Sequence, residues 1–245
     1  MDHKPHRFFL DLENKQDNKI VIRDNKLLHQ FLKVLRFKES DLIICLFNDH
    51  QEYLVKITKI SKKQCLGEIM KKQKNKNELP FNLTLYQALP NKKDTWERVI
   101  SKATELGVTT IVPVLSQRSY GKYPTSSPRL QNILKESAES AERGCLPSIT
   151  SALKLSKMTF SKQHVFLADS FNKKAPLLSE CLINAKNLQE IGIIIGPEGG
   201  FTKNEVNYLV NNGANTVNLG PRILRIETAV IVALGQITFF SEKIS

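Results

Sequence analysis

A chain of 245 residues with 41% hydrophobic and 24% charged side chains carries enough apolar surface to bury a core, which excludes wholesale disorder and collagen-like repetition. Its 36 Lys and Arg against 24 Asp and Glu give a formal charge of +12, an excess that favours a polyanionic partner such as RNA and that also fits an ordinary lysine-rich surface. No run approaches the roughly 18 to 20 apolar residues of a membrane span. The stretch from Met1 to Lys15 lacks a signal-peptide core, and Cys45, Cys65, Cys145 and Cys181 form no C-x-x-C pair. We therefore expect a soluble cytoplasmic protein with no membrane contact, no metal site and no disulfide framework.

In chain order, Phe8–Leu10, Ile20–Ile22, Leu42–Phe47 and Tyr53–Ile57 are short apolar runs that predict strands of a small barrel. They are interrupted by a helix over Lys26–Leu35, where Leu27, Leu28, Phe31, Leu32 and Leu35 share a face. The polar run Met70–Glu78 has no periodicity and precedes Pro80, the pattern of a linker. We divide the chain into a domain over 1–72, a linker over 73–81 and a second domain over 82–245. The charge is +7 before Asn77 and +5 from it on, so the shorter part is the more basic. On this division a fragment beginning near Glu78 is expected to fold by itself.

Beyond the linker, strands and helices alternate, the mark of a mostly parallel α/β sheet. Leu83–Leu89 predicts a strand. Asp94 stands three residues before Glu97 as a helix cap, with Trp96, Val99, Ile100, Ala103 and Leu106 as the buried stripe and Gly107 as the stop. Ile111–Leu115 predicts a strand, with Pro113 suggesting an edge or strand end. Pro128–Arg143 predicts a helix, Val165–Ala168 a strand, Pro176–Ala185 a helix and Ile191–Ile195 a buried strand.

Two strand-turn-helix segments carry the chemistry. In the first, Gly196-Pro197-Glu198-Gly199-Gly200 leads to Thr202 and Glu205, spaced as a capping box. It is neither G-x-G-x-x-G nor a phosphate loop ending in G-K-[ST], and the G-K pair Gly121-Lys122 lacks the hydroxyl. A structural turn is one reading, but the carboxylate of Glu198 at a strand end lies where open α/β sheets bind ligands. In the second, Leu219-Gly220-Pro221-Arg222-Ile223-Leu224-Arg225-Ile226-Glu227-Thr228-Ala229 runs into a helix apolar on nearly every side, which must be buried in a core or an interface. Arg225 and Glu227 are either an ion pair locking the turn or functional groups.

These residues resemble the RsmE family of the SPOUT superfamily, the 16S rRNA (uracil-N3)-methyltransferases. The match is carried by Lys102–Val108, by Glu136–Pro147 with Ala138, Glu139 and Arg143, by Ile195–Phe201 and by Leu219–Ala229. The N-terminal part is similar to the family's PUA-like RNA-binding domain through Arg7-Phe8-Phe9, His29 and Val34-Leu35-Arg36. The resemblance implies an α/β fold: a C-terminal SPOUT methyltransferase domain with a trefoil knot, preceded by a small PUA-like β-barrel. It also implies a homodimer and S-adenosylmethionine (SAM) as cofactor, with 16S rRNA or the assembled small ribosomal subunit as partner. Two departures stand out: Asn91-Lys92-Lys93 where the family tends to have a Lys-Gly turn, and Ser140 where it often has Gln.

On this resemblance, Leu89, Gly196, Glu198, Gly199, Gly200, Leu219, Gly220, Ile223, Leu224, Thr228 and Ala229 are the expected cofactor residues. Arg225 would stabilise charge on the uracil oxygens, while Glu198 or Glu227 would accept the N3 proton or orient Arg225. Arg7, His29, Arg36, Lys102, Arg118 and Arg143 are the expected RNA contacts, although Lys102 with Glu105 also reads as an exposed helix pair. The competing classes are a ribose 2'-O-methyltransferase of related fold and a non-catalytic RNA-binding ribosome-assembly protein.

Overall fold

The computed structural model describes residues 4–119, 126–160, 164–185 and 189–241; Gly121-Lys122 lies outside them. The chain forms two compact units, one made of residues up to Glu78 together with Ala138–Cys145, the other of Leu79–Ser137 and the rest.

The first unit is one six-stranded sheet. Its strands are β1 (His6–Phe9), β2 (Lys15–Gln16), β3 (Lys19–Ile22), β4 (Leu42–Leu46), β5 (Gln51–Ile60) and β6 (Cys65–Lys74), in the order β1-β4-β5-β6-β3-β2. Only β1 and β4 pair in parallel. Alternate residues point inward and close over Phe8, Phe31, Val55 and Ile57, as a sheet period of two requires. The expected helix begins as α1 (Asn25–His29), capped by Asp24, and continues as a π-helical turn over Gln30–Val34. Of the polar run Met70–Glu78, the part up to Lys74 is strand paired to β5, so the run does not begin as a linker.

The segment Ala138–Cys145 is bound into this unit by polar contacts. The Phe9 N–H donates to Glu139 Oε1 at 2.8 Å, and Asn75 Nδ2 donates to the Glu142 carbonyl at 2.9 Å. Arg7 sits between Glu52 and Glu142. Glu142 has φ +57°, left-handed backbone that disfavours a side-chain-bearing residue.

The second unit is a seven-stranded parallel sheet in the order β10-β8-β7-β12-β11-β13, with β9 also on β8. In chain order its elements are β7 (Asn82–Ala88), α2 (Lys93–Glu105), β8 (Thr110–Leu115), α3 (Pro128–Ser140), β9 (Ser148–Ile149), β10 (Leu153–Lys154), β11 (His164–Ala168), α4 (Leu178–Asn184), β12 (Glu190–Ile195), α5 (Lys203–Asn211), β13 (Ala214–Val217) and α6 (Ile226–Ser241). Helix α3 ends earlier than Arg143, and its last turn belongs to the first unit.

Trp96, Val99, Ile100 and Ala103 pack with Leu83, Leu85, Ile193 and Val230 in the main core. Asp94 is not the cap of α2: it lies inside the first turn after Lys92, and the Glu97 carboxylate is held by Arg129. Pro113 is inside the sheet rather than at an edge, yet β9 pairs only Thr110 and Ile111, and β10 only Val114 and Leu115. The gap between them is where a residue without an N–H fits. Among the described residues no helix is long and apolar enough to cross a membrane, and all four cysteines are free.

Candidate functional site

A cavity of about 710 Å³ opens at the carboxyl ends of β11, β12 and β13, with the start of α2 as its fourth side. Parallel sheets present ligand sites here because the turns leaving the strands expose main-chain groups that no neighbouring strand takes up. The inner wall is buried, with Ile195, Asn218 and Ile226 each less than a tenth exposed, while Phe171 and Ile223 stand out at the mouth.

The first glycine turn is closed by the Gly200 N–H on the Pro197 carbonyl at 2.8 Å. Gly200 has φ +64°, and a Cβ added there would lie 2.8 Å from the Phe171 ring, so this turn needs glycine for both backbone and space. The capping box forms as expected, with Thr202 N–H on Glu205 Oε2 and Glu205 N–H on Thr202 Oγ1. The other oxygen of Glu205 accepts the Gln117 N–H at 2.6 Å, and Arg118 Nη1 donates to the Gly199 carbonyl at 2.6 Å. The loop after β8 therefore braces the turn twice. Both oxygens of Glu198 accept the N–H of Asn91, at 3.1 and 3.2 Å, fixing the segment Asn91-Lys92-Lys93.

The second turn starts from Asn218, whose Oδ1 accepts the Gly220 N–H at 2.8 Å. Gly220 has φ +117° with open space around it. Among the described residues the main-chain groups of Leu219, Ile223 and Leu224 make no hydrogen bond, so they remain open to a ligand on the cavity wall. Arg225 forms no ion pair among the described residues, so the reading of Arg225 and Glu227 as a locked pair does not describe this turn.

Of the expected cofactor residues, Gly196, Glu198, Gly200, Leu219, Gly220, Ile223, Leu224 and Ala229 line the cavity with Arg225 and Glu227. Three do not. Leu89 is packed into the core, the Gly199 carbonyl is taken by Arg118, and Thr228 is exposed in the first turn of α6.

The expected RNA residues divide. His29 and Arg36 are exposed, Lys102 is paired with Glu105, and Arg118 braces the glycine turn. Arg7 and Arg143 are corrections: their side chains are 8% and 3% exposed, Arg7 between Glu52 and Glu142 and Arg143 on Glu78. A guanidinium buried in an ion pair is not available to phosphate.

Two contributors were missed from the sequence. Gln87 is fully buried, and its Nε2 donates to the carbonyls of Ala88, Ile195 and Gly196, tying β7 to the first turn; a lone amide within an apolar strand was the available signal. Asp169 accepts the Phe171 N–H at 3.0 Å and sets the loop after β11, whose polar composition concealed it. Among the described residues no three of His, Cys, Asp and Glu gather as metal ligands.

The sequence profile of the RNA methyltransferase domain matches residues 77–238, and that of the RNA methyltransferase PUA domain matches residues 31–70. Ribosomal RNA small subunit methyltransferase E of Mesomycoplasma hyopneumoniae is 32% identical over 94% of this chain and 97% of its own length. The Bacillus subtilis protein of that name is 29% identical over 96% and 97%. A crystal structure of Ribosomal RNA small subunit methyltransferase E from Neisseria gonorrhoeae bound to S-adenosyl methionine superposes with a TM-score of 0.82, at 27% identity, over 96% of this chain and 98% of that one.

Proposed function

Because the chain belongs to the RNA methyltransferase family that includes ribosomal RNA small subunit methyltransferase E, we propose that it catalyses SAM-dependent methylation of N3 of a uridine in 16S rRNA. The observation that carries this reading is the cavity at the strand ends, where two glycine turns and the open main-chain groups of Leu219, Ile223 and Leu224 form one wall. These are groups suited to reading an adenine edge and holding an amino-acid tail, and Gly200 keeps the wall free of side-chain atoms.

When bound, SAM supplies an electrophilic methyl group on a sulfonium. The chain's own residues must then place N3 in line and remove its proton. Arg225, without a carboxylate partner, stabilises negative charge on the uracil oxygens as the proton leaves. Glu227 is the better acceptor, because both oxygens of Glu198 are already on the Asn91 N–H. His29 and Arg36 are the RNA contacts we assign to the first unit.

The homodimer belongs to this reading too. Thr228, Ile231, Gly235 and Phe239 make a stripe on α6, with Ile231 and Phe239 exposed and open space beside Gly235, the form of a helix face that a second copy covers. We place the reaction in the cytoplasm, with the RNA or assembled small subunit as substrate. Mass spectrometry of small-subunit rRNA nucleosides from cells lacking the protein, with and without its restoration, tests the assignment. Loss and recovery of 3-methyluridine supports it, unchanged 3-methyluridine refutes it, and a lost ribose methyl group moves the target to the sugar.

A further inference from the structure

We propose that the mouth of the cavity is a seat for one extruded nucleotide of single-stranded RNA, with the Phe171 ring stacked on the base and Arg98 and Arg222 holding the adjoining phosphates. This rests on the reading above and names how the substrate is gripped.

Phe171 is 67% exposed and lines the cavity, yet it is not on a loose loop. The Asp169 carboxylate accepts its N–H, its own carbonyl accepts the Lys173 N–H, and Lys173 Nζ reaches the Pro221 carbonyl. The ring also lies over Gly200, where no side-chain atom displaces it. An apolar ring fixed in water at a cavity mouth offers a π-face to a flat ligand, and extruded bases are held by such stacking.

The charges supply the second half. Lys92, Arg98, Arg222 and Arg225 all line this cavity, and none forms an ion pair among the described residues. Asp94, Asp169, Glu198 and Glu227 line the same cavity, and Asp169 and Glu198 keep their charge while accepting the N–H groups of Phe171 and Asn91. The opening therefore carries both signs of charge, and what marks out Arg98 and Arg222 is that both are exposed and make no ion pair among the described residues, which leaves their donors to phosphate oxygens. Arg98 comes from α2 and Arg222 from the second turn, so they reach the opening from different elements. Their planar guanidinium groups match phosphate oxygens.

The test uses the full chain and a single-stranded oligonucleotide spanning the methylated site, with SAM affinity by calorimetry in parallel. The double variant R98Q/R222Q should lower the slope of log RNA affinity against log salt by roughly 1.4, or about 0.7 for each lost contact to a single strand, with SAM affinity within about twofold. Phe171→Ala should weaken RNA binding about tenfold and Phe171→Trp should restore it. An unchanged salt slope together with unchanged RNA affinity of Phe171→Ala overturns the proposal, as does loss of SAM binding with RNA affinity intact, which would move these residues to the cofactor. Absence of methyl transfer by the unaltered chain would defeat the parent reading instead, since RNA affinity is measured apart from turnover.

Discussion

Arg143 and Glu78 form an ion pair inside the first unit, Nη2 to Oε2 at 2.8 Å, while Glu78 Oε1 accepts the N–H groups of Gly144 and Cys145 at 2.9 and 3.0 Å. Removing one member of a buried pair strands the other, at about 3 to 5 kcal/mol. Arg143→Ala should lower unfolding free energy by that order in urea titration and leave the salt slope of RNA binding unchanged. A small stability loss with a flattened slope would return Arg143 to the RNA surface.

A fragment from Glu78 onward keeps that pair but loses Phe9, Arg7 and Asn75, which hold Glu139 and Glu142. Trypsin should therefore cut it after Arg143 much faster than it cuts the full chain. Equal protection in both would make the fragment the autonomous domain that the sequence division suggested.

Arg225→Ala should reduce kcat strongly while SAM affinity stays within about tenfold, or roughly 1.4 kcal/mol. The side chain stands on the cavity wall free of ion pairs, so its removal leaves no partner stranded. Calorimetry with SAM beside single-turnover methylation separates the two quantities; lost SAM binding in a folded protein would put Arg225 in the cofactor contact.

Gly200 and Gly220 both have positive φ, but an alanine Cβ at Gly200 would press on Phe171 while one at Gly220 meets open space. Gly220→Ala should cost only backbone strain, about 1 to 3 kcal/mol. Gly200→Ala adds the displacement of the ring and should weaken RNA binding as well as stability. Comparable RNA affinity in the two variants would contradict this distinction.

Acid sensitivity follows from two carboxyls. Hydrogen bonds from Arg129 hold Glu97 below its ordinary value of 4.5, and the bond from Lys4, with the nearby charge of Arg7, does the same for Glu142. A carboxyl lowered in the folded state contributes stability that is fully present above about pH 4.5 and lost as pH falls through the folded value. The double variant E97Q/E142Q should show a shallower loss of stability below pH 4.5 in thermal melts; an unaltered acid limb would mean neither group contributes.

The glycine turns, the capping box at Thr202 and the core stripe of α2 were legible because each depends on residues within a few positions of one another. What escaped depends on distance along the chain. Arg7 and Arg143 look like surface charge until Glu52, Glu142 and Glu78 are folded against them. Met70–Lys74 looks like linker because lysine and glutamine occupy both faces of the strand, which erases the alternation that reveals a half-buried one. Phe171 sits among polar neighbours, and only the three turns meeting at the cavity give its ring a purpose.

The return of Ala138–Cys145 to the first unit sets an order of events during synthesis. Glu78 leaves the ribosome 67 residues before Cys145, whose N–H it accepts, which at about 5 to 20 residues per second is a wait of roughly 3 to 13 s. Throughout that interval the N-terminal sheet has its strands but not its last segment, and Glu78 is without Arg143 and the N–H groups of Gly144 and Cys145. The two halves of this protein must mature together, with the N-terminal one, first to emerge, completed only after much of the second has been made.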